Sequence, residues 1–172
     1  MRETKHEHSD GTNPFVFATQ FYREPHLPIA DLKRDMRKIK ELGLNTIKIQ
    51  EAWSYDEPVE GEYDFSIMDE LAAEAERVGL KVFFTMCLEV PPWAWKKYPD
   101  SEIVNQEGRR LYSRSGYGYT DGKPGPCWNH PGMRKAGERF LAAFARRLGR
   151  HKNLVMWQAF QELNWWYTSV EC

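Results

Sequence analysis

The chain has 172 residues, 41% of them hydrophobic and 14% aromatic, enough to bury one core and no more than one ordinary domain. Its 24 basic residues are balanced by 25 acidic ones, which removes the electrostatic case for a nucleic-acid partner or an anionic membrane. No apolar run approaches the length of a membrane span.

The opening segment, MRETKHEHSDGTN, is polar and lacks the apolar stretch of a signal peptide. Residues 1–13 therefore read as a flexible tail and residues 14–172 as the domain. Residues 15–20 (FVFATQ) are short and apolar, a first strand. Leu32, Met36, Ile39 and Leu42 then recur at helical spacing, which predicts a helix over residues 30–42 stopped by Gly43. Residues 45–49 (NTIKI) are rich in β-branched side chains, a second strand. Ser66, with Asp69 three residues on, predicts a capping box opening a helix over 66–78, whose apolar face is Ile67, Leu71, Ala75 and Val78. A third strand follows at 81–86, a helix at 132–148 behind Pro131, and a fourth strand at 154–160.

Three junctions repeat one another: KELGLNTIKI from Lys40, ERVGLKVFFT from Glu76 and RRLGRHKNLVMW from Arg146. Each runs from helix through glycine and a short turn to an apolar strand. Such a unit implies an α/β fold of parallel strands joined by right-handed crossovers, with helices on one outer face. Turns leading from helix to strand are short. The segment after the third strand, residues 87–130, is far longer than an ordinary loop and rich in proline, glycine and aromatics. Long connections at the C-terminal ends of parallel strands are where α/β proteins build their sites.

Candidate chemistry gathers at those ends. WQAFQELNWW, from Trp157, sets one carboxylate, Glu162, among aromatics and amides where the fourth strand ends. Desolvation by Trp and Phe pushes a carboxylate toward its neutral form, which can donate a proton to a leaving oxygen. Flat rings nearby suit the apolar faces of sugars. After the second strand, Glu51 or Gln50 can hydrogen-bond a sugar hydroxyl, and Trp53 is a wall of the site, packing at the end of a barrel, or both. After the third, Trp93 and Trp95 follow a rigid Pro-Pro, as a stacking wall or as core, and Glu89 is a rival to Glu162 for the chemistry. The three cysteines, Cys87, Cys127 and Cys172, are odd in number and lack C-x-x-C spacing. They read as thiols of a reducing compartment, and the expected location is the cytoplasm.

The order of these pieces resembles the N-terminal half of glycoside hydrolase family 42, the β-galactosidase-like members of a retaining clan built on an eight-stranded (β/α) barrel. The resemblance is carried by the helix from Asp31 to Gly43, EAWS…EP…G.YDFS…D from Glu51, PPWAWKKYP from Pro91, EGRR from Glu107, CWNHP from Cys127 and WQ…QE from Trp157. It implies a partial TIM (β/α) barrel, the first four βα units with parallel strands. It also implies a retaining glycoside hydrolase whose acid/base half this chain carries, acting on carbohydrate, with galactose the family's commonest substrate. In the family the acid/base glutamate stands in an Asn-Glu pair after strand four, which points to Glu162; Gln161 stands here in place of the Asn, as a substrate contact. Trp165 is a further expected contact. Asn129 matches the Asn of the family's Cys-Pro-Asn stretch. The arginine that precedes that cysteine has no clean match, Arg114 and Lys123 being the nearest cations. Members often hold zinc in a four-cysteine cluster. Here Cys127 fits and Cys172 lies roughly where a second falls, so no metal and no other cofactor is expected.

A full barrel needs about 250 residues, and the family's nucleophile follows a later strand than the four read here. Retaining enzymes need two carboxylates about 5–5.5 Å apart. The expected partner is therefore the missing half-barrel or another copy of the chain, since a lone half would expose apolar surface and self-associate. The alternative is a non-catalytic half-barrel that binds glycan or acts as a scaffold.

Overall fold

The computed structural model describes residues 15–21, 28–86, 89–111 and 125–159. The expected tail, residues 1–13, lies outside them. In chain order come β1 (Ala18–Phe21), α1 (Ile29–Glu41), β2 (Thr46–Gln50), α2 (Trp53–Asp56), α3 (Ser66–Arg77), β3 (Lys81–Thr85), α4 (Pro92–Lys97), α5 (Pro131–Leu148) and β4 (Leu154–Gln158). The four strands form one sheet in the order β1-β2-β3-β4, every neighbouring pair parallel. That is the α/β repeat expected from the three junctions.

Alternation along the strands separates two faces. Ile47 and Ile49 of β2, and Val82 and Phe84 of β3, are fully buried against Met36 of α1, Met68 and Leu71 of α3, and Phe140 and Phe144 of α5. The helices thus form one layer on one face. The other face carries Gln20, Lys48 and Phe83 in register, then Gln50, Thr85 and Gln158 nearer the strand ends. Lys48 Nζ sits 5.5 Å from the centre of the Phe83 ring. Large apolar side chains are exposed along both outer strands: Phe15 and Phe17 just before β1, Val155 and Met156 on β4.

Some local signals resolve differently from the sequence reading. Residues 15–17 precede β1 rather than belonging to it; Asn45 fixes this approach by accepting the Phe17 N–H (3.0 Å) and donating to the Phe15 carbonyl (2.6 Å). The capping box at Ser66 does not form. The Ser66 N–H donates to Asp64 Oδ1 (2.9 Å), and the helix cap position is Phe65. Asp69 is drawn instead to Arg147 (2.7 Å) and His151 (2.9 Å), which ties α3 to the end of α5. Gly43 and Gly79 stop their helices with φ of 88° and 75°, a left-handed conformation that favours glycine. Gly149 stops α5 with φ of −64°. There the demand is for space, because a Cβ would lie 2.6 Å from the Ala145 carbonyl oxygen. Pro91-Pro92 forms the entrance to α4, with proline in the first turn, where its missing N–H costs nothing.

Gly137, buried in the middle of α5, lets the Trp128 ring lie against the helix; a Cβ there would stand 2.9 Å from that ring. Helix propensity favours Ala over Gly by about 1 kcal/mol, while overpacking a filled site costs about 1–3 kcal/mol. Trp128 is stacked on Trp53 (6.4 Å between ring centres) and has little room to retreat. Gly137→Ala is therefore expected to lower Tm in a thermal melt; an unchanged or higher Tm would show that Trp128 moves freely.

Glu74 bridges α1 and α3, accepting from Arg37 (3.2 Å) and Arg77 (2.6 Å). The hydrogen bond from Arg77 holds its carboxyl below the ordinary value, against the opposing effect of burial. A depressed folded value stabilises the fold above the unfolded pKa, and that contribution fades as pH falls through the folded one. Glu74→Gln should lower Tm at pH 7 by about 2–4 °C, and the gap between variant and parent should close in acid. A gap independent of pH would locate the effect in packing.

Candidate active site

The C-terminal ends of the parallel strands come together at one edge of the sheet. The Glu51 N–H donates to the Thr85 carbonyl (2.9 Å) and the Met86 N–H to the Gln158 carbonyl (3.1 Å), so three strand ends are held level. Glu51, one residue past β2, is buried at this edge. Glu89 lies four residues past β3 and is half-buried. Among carboxylates read as candidates, these two are the ones the described residues place at strand ends. Glu162, Gln161 and Trp165 lie outside the described residues, as do Arg114, Lys123, Cys87 and Cys172.

Trp53 opens α2, the single turn that follows β2. Its ring is 0% exposed. Phe140 stacks on it at 5.5 Å, Trp128 at 6.4 Å, and Trp93 meets it edge-on at 6.1 Å. Of the two roles open for Trp53, packing is the one its surroundings describe. Trp93 and Trp95 are half-buried against the same core, and Asn129 is exposed in the turn before α5.

Sequence reasoning missed Glu57. It is buried four residues after Trp53, and its carboxylate accepts Trp53 Nε1–H (2.5 Å) and the Gly61 N–H (2.8 Å), while its carbonyl accepts Trp93 Nε1–H (2.9 Å). One residue thus holds both tryptophans and the turn that follows α2. The signal was present in the i,i+4 spacing of Trp53 and Glu57 within one helical turn. Burial raises the Tyr63 pKa above its ordinary value, and the charge of Glu57 adds to the effect.

Cys127 is a buried free thiol. Among the described residues, no three His, Cys, Asp or Glu side chains gather as metal ligands. No described helix is long and apolar enough to cross a membrane.

Four parallel strands joined by three helical crossovers, with a polar rim at the strand ends, define the first part of a (β/α) barrel. Residues 21–172 match the family model for beta-galactosidase, glycoside hydrolase family 42, and the chain belongs to that family. It is 33% identical over 130 residues to a beta-galactosidase of Thermus, covering 74% of this chain and 19% of that protein. It is 29% identical over 134 residues to one of Clostridium cellulovorans, covering 77% and 19%. The beta-galactosidase structure from Marinomonas ef1 superposes with a TM-score of 0.73 at 24% identity, covering 86% of this chain and 22% of that one. That from Halorubrum lacusprofundi gives 0.72 at 21% identity, covering 86% and 21%. The chain thus spans about a fifth of the length of the curated relatives it matches.

Proposed function

We propose that this chain is the acid/base half of a retaining glycoside hydrolase active on β-galactosides, and that residues 14–172 build the first four units of its barrel. The observation that carries this is the family match over residues 21–172, joined to a sheet whose strand ends present Glu51, Gln50, Thr85 and Gln158 on one edge. Glu162 follows the last of these strands by four residues in the chain. In the proposed first step its carboxylic acid donates a proton to the glycosidic oxygen as the bond from C1 breaks, and a nucleophilic carboxylate supplied from outside the first four units takes C1 as an ester. In the second step the Glu162 carboxylate accepts a proton from the water that attacks C1 and releases the nucleophile. Glu51 and Asn129 are the proposed polar contacts to the sugar, with Gln161, and Trp93, Trp95 and Trp165 its apolar ones.

A second reading, glycan binding without turnover, is favoured for these residues in isolation by their span of about a fifth of the relatives. A screen of nitrophenyl glycosides tests both. Turnover of the β-galactoside is expected from a longer polypeptide encoded at the same locus and not from the 172-residue chain. Sugar binding without turnover in either would transfer the assignment to the second reading. Exposed Phe15, Phe17, Val155 and Met156 along the outer strands support pairing with a complementary half or a second copy. Light scattering should show self-association of the isolated chain; a stable monomer at high concentration would refute it.

A further inference from the structure

The geometry points to a carbohydrate-binding row made by Gln50, Thr85 and Gln158, which grips a sugar ring by its hydroxyls; it rests on the glycosidase reading and gives it a specificity element. The three residues are direct register partners on adjacent strands, Gln50 to Thr85 and Thr85 to Gln158, at the last position of each strand. Because Ile49 and Phe84 just before them point into the helix-side core, the row faces the opposite side. Thr85 is 0% exposed, and its hydroxyl donates to Gln158 Oε1 (3.1 Å). A buried hydroxyl needs a partner, and this one fixes which way the Gln158 amide is turned. With Oε1 engaged, Nε2 keeps two N–H donors to offer. Neither side-chain amide nitrogen, of Gln50 or Gln158, has a protein partner among the described residues, and both side chains are half-buried. Two amides therefore flank one buried hydroxyl across two strand spacings, about 10 Å, wide enough for one pyranose ring. The row's own groups are neutral donors and acceptors, which suit an uncharged polyol, with Lys48 two residues before Gln50 on the same face. Thr85 acts here as a positioning residue, through Gln158.

The full chain labelled with ¹⁵N and titrated with D-galactose tests this, with ethylene glycol as the control. The side-chain NH₂ resonances of Gln50 and Gln158 should shift saturably with galactose and not with the control. Gln158→Leu and Gln50→Leu should each weaken galactose binding about fivefold, the loss of one hydrogen bond. Thr85→Val should weaken it similarly and broaden the Gln158 amide signals, while Thr85→Ser restores both. Amide shifts that are absent, or equal with ethylene glycol, overturn the row. Full binding in Thr85→Val overturns the positioning role. β-Galactoside turnover by the longer polypeptide, unaffected by Gln50→Leu and Gln158→Leu, would sink the row and leave the glycosidase standing. Saturable amide shifts with no β-galactoside turnover by the longer polypeptide would uphold the row and remove the glycosidase.

Discussion

Glu162→Gln, placed in the longer polypeptide, is expected to lower turnover of an alkyl β-galactoside by about 10²–10⁴-fold, the range removed with a general acid. An alkoxide leaves poorly, so the first step of such a substrate depends on the proton that Glu162 would give. A nitrophenyl galactoside needs little protonation, and its first step should survive the substitution. The glycosyl-enzyme would then accumulate, because water would lack the base that activates it. Added azide should restore turnover, since an anion attacks C1 without losing a proton. This pairing of leaving-group dependence and anion rescue identifies an acid/base residue and separates it from a residue that only binds. Near-normal alkyl galactoside activity in Glu162→Gln, together with loss in Glu89→Gln, would move the assignment to Glu89. Glu89 stands half-buried past the end of β3 and is the natural rival.

The scaffold was legible because its rules are local and repeated. Leu32 and Met36 were readable as core from a 3.6-residue period, and both are buried. Gly43 and Gly79 were readable as stops, and both take the positive φ that glycine tolerates. Where the reading slipped, a long-range partner outbid a local motif. Asp69 has the right spacing from Ser66 for a capping box, but Arg147 and His151, 78 and 82 residues away, claim its carboxylate. Sequence spacing cannot price that competition. The candidate site was less legible for the same reason. Gln50 was singled out beside Glu51, but Thr85 and Gln158 come beside it only through strand register. Glu57 lies in the segment after β2, but its role as the acceptor that holds Trp53 and Trp93 depends on the approach of α4.

Trp53→Ala is expected to be the most destabilising single change in the described core, lowering Tm by about 10–15 °C. The ring is fully buried between Phe140, Trp128 and Trp93, so truncation leaves a cavity that these three aromatic neighbours cannot collapse around without giving up their own contacts. Large aromatic-to-alanine changes in such places cost about 3–5 kcal/mol. The change also strips one donor from the buried Glu57 carboxylate, which then keeps the Gly61 N–H among its described partners. Trp53→Phe divides the two contributions. Phenylalanine retains much of the stack on Phe140 but lacks the N–H, so its smaller loss, about 1–3 kcal/mol, combines the donor lost to Glu57 with the smaller ring. Circular dichroism melts of the two variants read this directly. Galactose binding adds the discriminating measurement for the role of the ring. If Trp53 packs the core, both variants lose stability and the folded fraction of Trp53→Phe binds galactose as the parent does. If Trp53→Ala instead melts within about 2 °C of the parent and loses binding, the ring belongs to the sugar site, and the buried cluster around Phe140 would not be the core that holds α2 against α5.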